Sequence, residues 1–279
     1  MKPNPIRVVS LVLLGIALTG CVNLKAVREF ATASTEDATL KAIAGEMVDS
    51  PRRKVRYAAD DDTKKAFEAA AAVGRTKRAE LVRSHEVIRA YMATLATLAG
   101  GGTVEPNSSV AGFTAEVGDS SLLNASEQQA FGKLATLVSH AATDSYRRTT
   151  VRQMIRQSAS DFPAAIAALQ RAVRLIGDEQ LGGEVGALNQ YYRIQSNLPD
   201  PTTPAWARVL VEEIRQDREA GVQQKIEVCR NYATALGRIA DGHAAMLKNL
   251  DHLDAQELVV LLKQYEQEIA AAYEAIKRL

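Results

Sequence analysis

The side chains best suited to metal or acid–base chemistry are His85, His140, His243 and His252, the thiol of Cys229, and the acids of residues 241–254. No histidine has a glutamate three residues before it, so the Glu-x-x-His pattern of di-iron bundles is missing. His-Glu-x-x-His is missing too. His243 and His252 with Asp241, Asp251 and Asp254 form the richest ligand set. Asp251-His252-Leu253-Asp254, however, falls where one helix gives way to the next, and turn and capping roles account for its acids. Asp60-Asp61-Asp62 lacks the spaced acids and glycine of a calcium loop and reads as a helix start. Gly100-Gly101-Gly102 and Gly182-Gly183 follow no strand and carry no Gly-Lys-Ser/Thr ending, so they punctuate helices. No Gly-x-Ser-x-Gly occurs. These residues predict no catalytic group, no metal and no cofactor.

Cys21 carries a different chemistry. Two cations, Lys2 and Arg7, precede an apolar run over residues 8–18, and small residues follow it. That run is far shorter than the roughly 20 residues a spanning helix needs, and its layout is that of a secretory signal peptide. It ends in Leu18-Thr19-Gly20-Cys21, which resembles the lipobox of bacterial lipoproteins. The resemblance covers only the N-terminal region. It implies cleavage before Cys21, acylation of its thiol with palmitate-type chains, and attachment to membrane lipid. Val22, in place of an aspartate, favours the outer membrane with the body facing the periplasm. Two acyl chains already anchor stably, each buried methylene adding about 0.8 kcal/mol.

Without residues 1–20 the cations fall from 34 to 32 against 33 acids, because only Lys2 and Arg7 are lost. A near-neutral body argues against nucleic acid as a partner. With Cys21 acylated, Cys229 has no intramolecular partner and reads as a buried apolar side chain.

The elements are all helical. No run of β-branched or aromatic residues with period two is bounded by turns on both sides. Expected helices cover residues 24–48, stopping before Ser50-Pro51, then 60–99, 126–159, 161–195 with an interruption at Gly182-Gly183, 205–241, and 254 onward. A polar loop with Pro106 and Asn107 spans residues 103–125, and residues 197–204 hold three prolines. The expected architecture is an elongated antiparallel bundle of long helices. It comprises a signal segment 1–20, a lipidated N-terminus, first helix and linker 21–59, and a helical domain 60–279.

Residues 86–101 and 227–242 are identical at seven of sixteen positions. Ile88, Tyr91, Leu95 and Leu98 match Cys229, Tyr232, Leu236 and Ile239 at 3-4-3 spacing, a seam that buries against neighbouring helices. This suggests repeat halves 60–196 and 204–279, two hairpins packed together.

Three groups stand out for recognition. Arg52, Arg53, Lys54 and Arg56 are candidate contacts to an anionic surface, against the plainer reading of a solvated linker. Tyr191, Tyr192 and Trp206 are candidate partner contacts, since Tyr and Trp dominate interface hot spots; for Trp206, which follows Pro204 at a helix start, a packing staple is the commoner role. The composition favours a non-enzymatic envelope scaffold or accessory subunit that holds another envelope protein. The alternative is a carrier of a lipid or small apolar ligand between the helices.

Overall fold

The computed structural model describes residues 24–36, 38–105, 110, 120–142, 151–197 and 204–278. Cys21, its lipobox and most of the loop over residues 103–125 lie outside the described residues. The rest is an all-α bundle. Its helices are α1 (Lys25–Ala33), α2 (Ala38–Lys54), α3 (Asp61–Ala99), α4 (Ala125–Ala141), α5 (Val151–Gln157), α6 (Asp161–Arg174), α7 (Gly182–Asn197), α8 (Ala205–Lys248) and α9 (Gln256–Lys277). A 3-10 turn, Val55–Tyr57, follows α2, and a π-helical segment, Leu175–Leu181, joins α6 to α7.

The ends of α3 follow from its sequence. Asp60 caps it, its carboxylate accepting Thr63 N–H at 2.7 Å. Gly101, at φ +73°, closes it in the left-handed conformation that glycine adopts without strain. At α4 a capping box forms: Asn124 accepts from Glu127 N–H, and the Glu127 carboxylate accepts from Asn124 N–H.

Several boundaries differ from expectation. The first expected helix is two, because the Ser34 and Thr35 hydroxyls donate to the Phe30 and Thr32 carbonyls at 2.9 and 2.7 Å and end α1. Glu36 then accepts Thr39 N–H and opens α2. Pro51 does not stop α2 but lies inside it, buried. Pro51 offers no N–H to the carbonyl four residues back, that of Met47. Gly74 of α3 abuts this carbonyl; a methyl there would lie 2.0 Å from Met47 O. The stretch expected as one helix over 126–159 contains the separate α4 and α5 and a turn at residues 158–160. The change of winding near Gly182-Gly183 is the π-helical segment just before them. α8 runs past Asp241 to Lys248: Gly242 stays helical, and the Phe30 ring fills the space beside it.

α2 and α3 form an antiparallel hairpin, with Lys41 reaching Glu86 while Gly74 sits against Met47. α8 and α9 form another, through Tyr232–Tyr273 and Arg238–Glu268. α6 runs antiparallel to α8, Gln170 donating to the Ala233 carbonyl and Gly177 lying against Cys229. All meet in one core around Phe30, Tyr91, Phe131, Phe162 and Tyr232. The matched seams both face this core, with Tyr91 and Tyr232 fully buried, and Cys229 buried as Ile88 is. The matched glycines have different roles. Gly101 ends a helix, whereas Gly242 makes room for Phe30 within one.

Gly74→Ala is expected to lower the unfolding free energy by about 1–3 kcal/mol, as overpacking does. Gly132→Ala, whose methyl meets nothing within 4 Å, should raise it by about 0.5–1 kcal/mol. Urea titration followed by circular dichroism checks both.

Candidate functional site

The bundle centre holds one polar knot. Tyr91 Oη of α3 lies 2.6 Å from Ser158 Oγ and 2.9 Å from His243 Nε2 of α8, and the last two are 3.1 Å apart. Each is delivered by local sequence. The apolar seam of α3 turns Tyr91 inward. Ser158 ends α5, where its hydroxyl reaches back to the Met154 carbonyl at 3.0 Å. His243 follows the close-packed Gly242. Phe162 stacks on His243 with ring centroids 4.3 Å apart and tilts against Tyr91 at 4.8 Å.

One proton ordering uses every group once. His243 Nε2–H donates to Tyr91 Oη, Tyr91 donates to Ser158 Oγ, and Ser158 donates to the Met154 carbonyl. Burial drives the histidine toward its neutral form and pushes its pKa down to about 3; burial likewise raises that of Tyr91. Ser158 and His243 stand at nucleophile–base distance, but they are only 0% and 2% exposed and lie under Phe162. The arrangement fits an architectural link between helices, not a place where a substrate carbonyl meets a serine.

A second polar cluster ties α2 to α7 and α8. Arg53 Nε and Nη2 donate to the two Glu184 oxygens at 2.7 and 2.8 Å, and Nη2 also donates to Glu46 at 2.5 Å. Lys225 of α8 reaches the other Glu46 oxygen at 2.6 Å. Burial alone would lower the guanidinium's pKa, but Glu184 and Glu46 hold it above its ordinary value. Burial lowers that of Lys54, whose ammonium sits 5.2 Å over the Phe67 ring. The basic group thus divides. It is not a solvated linker but the end of α2 and the 3-10 turn. Arg53 and Lys54 turn inward, and only Arg52 and Arg56 are exposed.

The acidic histidine cluster does not assemble. His243 is in the core, whereas Asp251 and His252 occupy the exposed turn after α8, and Asp241 pairs with Arg238 at 3.1 Å. Among the described residues no group of three potential ligands is placed to hold a metal. Cys229 is buried as expected, and burial first, with Glu46 and Asp178 adding, pushes its thiol up to about 12.

The aromatic candidates also divide. Tyr191 and Tyr192 pack with Tyr57, at centroid distances of 5.7 and 6.4 Å, and the Arg218 guanidinium lies 5.8 Å from the Tyr192 ring. Tyr192 is buried in this cluster. Trp206 is no staple, being 68% exposed. Beside it on α8, Val209, Leu210 and Ile214 are exposed, as is Ile194 on α7. The buried residues of α8 begin only at Val222, so residues 205–221 form an arm beyond the core. α7 flanks the arm through Asn189, which accepts from Arg215 at 2.8 Å and donates to Glu219.

Burial of a neutral imidazole makes stability pH-dependent with a definite sign. The folded pKa is depressed, so the contribution is full above the unfolded value near 6.5 and is lost as pH falls toward about 3. Below pH 6.5 the wild-type protein should lose up to about 1.4 kcal/mol per pH unit through this group. His243→Gln should remove one proton from that slope in urea titrations between pH 4 and 7.

No protein-family model, curated protein or solved structure matches the chain, so its function is read from its own surfaces.

Proposed function

We propose that the protein is a non-enzymatic envelope lipoprotein, tethered through acylated Cys21 to the periplasmic face of the outer membrane, whose helical body holds another envelope protein. The observation that carries the reading is the arm over residues 205–221. It exposes Trp206, Val209, Leu210 and Ile214 on a helix that buries nothing before Val222. Singly exposed apolar residues are ordinary, whereas a contiguous group headed by tryptophan marks an interaction surface.

The placement of the tether agrees with this role. Phe30 of α1, nine residues after Cys21, packs on Gly242, and Trp206 lies 36 residues earlier on the same helix. At 1.5 Å per residue that is about 54 Å along α8. The arm therefore stands far from the point where an anchored chain would enter the bundle. Among the described residues no helix is long and apolar enough to cross a membrane, so attachment in this reading rests on the lipid alone.

Cys21→Ala should move the protein from the membrane to the soluble fraction of disrupted cells, and mass spectrometry of the wild-type N-terminus should find acyl chains on Cys21. An unmodified residue 21 in membrane-bound protein would refute the tether. For the scaffold role, a photo-crosslinking residue at 206 or 210 in living cells should give one discrete protein adduct, while the same residue at exposed Lys65 should give none. A bare 206 variant, or matching adducts at both places, would remove the arm as a docking surface.

A further inference from the structure

The arm of α8 has two sides. The side toward α7 is marked by its half-buried residues, Ala207, Val211, Arg215 and Glu219. Arg215 donates there to Asn189 and pairs with Glu219, and the Arg218 guanidinium lies over the Tyr192 ring. Successive residues step 100° around a helix, so the opposite side carries Trp206, Leu210, Glu213 and Asp217, flanked by Val209 and Ile214. All six are exposed. The first four recur at 4-3-4 spacing, that of a coiled-coil seam, yet no helix among the described residues covers them. Of the seven large hydrophobic residues exposed among the described residues, four lie on this side between residues 206 and 214. The apolar surface is gathered here, not scattered.

The charge of the arm is sorted in the same way. Its arginines, Arg208, Arg215 and Arg218, fall on the α7 side by the same 100° step, and it has no lysine. Glu212 is held by Arg215. Glu213 and Asp217 face away from these cations and make no hydrogen bond or ion pair among the described residues. A second helix laid on the seam would take both carboxylates out of water, and each then needs a cation across the contact. A second copy of the chain supplies none. Pairing two such seams sets carboxylate against carboxylate, or carboxylate against Trp206 and Leu210. An anionic lipid surface would repel the same acids.

On the reading of the arm as a docking surface, we propose that its occupant is a basic amphipathic helix of another protein. The apolar stripe of that helix covers Trp206, Val209, Leu210 and Ile214, and its lysines or arginines meet Glu213 and Asp217.

Trp206 is the only tryptophan of the chain, so its fluorescence reports the contact. A synthetic leucine–lysine helix added to the full chain should shift the emission to the blue and bind at least tenfold more tightly than a leucine–glutamate helix of equal length. Glu213→Lys with Asp217→Lys should reverse that preference with an unchanged circular dichroism spectrum, and Glu213→Gln with Asp217→Gln should abolish it. Equal binding of the two peptides by the wild-type chain, or a preference that survives the reversal, would overturn the basic partner. So would a dimer in sedimentation that Leu210→Glu dissolves, which would assign the seam to a second copy. A photo-crosslinking residue at 210 in cells separates this inference from the docking reading on which it rests. An adduct that the double reversal weakens at least fivefold supports both. An adduct of unchanged strength removes the basic partner and leaves the docking surface, whereas no adduct removes both.

Discussion

Tyr91 donates one hydroxyl to the centre of this bundle, and much of the register follows from satisfying it. Ser158, His243 and Tyr91 come from three distant parts of the chain and are desolvated together. Removing one leaves the others short of partners, at about 1–3 kcal/mol for each buried group left unpaired. An apolar seam tolerates sliding, but a hydroxyl and an imidazole at 2.9 Å do not. His243 adjoins Gly242, where the Phe30 ring occupies the place of a side chain. Fixing α3 against α8 therefore also fixes where α1 lies. The Pro51 carbonyl gap does similar work at the other end, with Gly74 seated on Met47 O and α2 registered against α3.

Once α8 is pinned between Val222 and Met246, its N-terminal overhang follows from helix continuity. No proline occurs between Pro204 and the core, so the helix continues for about four turns beyond it, flanked on one side by α7. Arg215 bridges Glu212 and Glu219 at i−3 and i+4, which supports a solvated helix. Ion pairs of this kind explain why the arm is helical. They do not explain why Trp206, Val209 and Leu210 point outward, and a partner surface is the reading that gives those side chains a role.

Fold class was legible because helical periodicity is a local property. The cap at Asp60, the stop at Gly101, the buried seams and the buried Cys229 were all written in short windows. The errors came where tertiary contacts override local signals. Pro51 stays inside α2 despite its missing N–H, and Gly74 of another helix packs against the Met47 carbonyl which that N–H would have met. Gly242 resembles a terminator until a phenylalanine 212 residues earlier in the chain fills its side. The similarity of residues 86–101 and 227–242 marked two buried seams, yet it could not show that the matching glycines differ in role. The polar knot left no sequence trace, since nothing in a single chain pairs residues 91, 158 and 243.

The same limit governs charge, and it decides which cations matter. In sequence, Arg52, Arg53, Lys54 and Arg56 form the densest basic group, while Arg75, Arg78 and Arg83 are scattered among alanines, glutamate and leucine. Folding redistributes both groups. Helix geometry turns Arg53 and Lys54 into the bundle, where Glu184 and Glu46 neutralise the guanidinium. It gathers the scattered arginines onto one face opposite Lys41. A side chain's neighbours along the chain are spread around a helix 100° apart, so density in sequence disperses and periodicity concentrates.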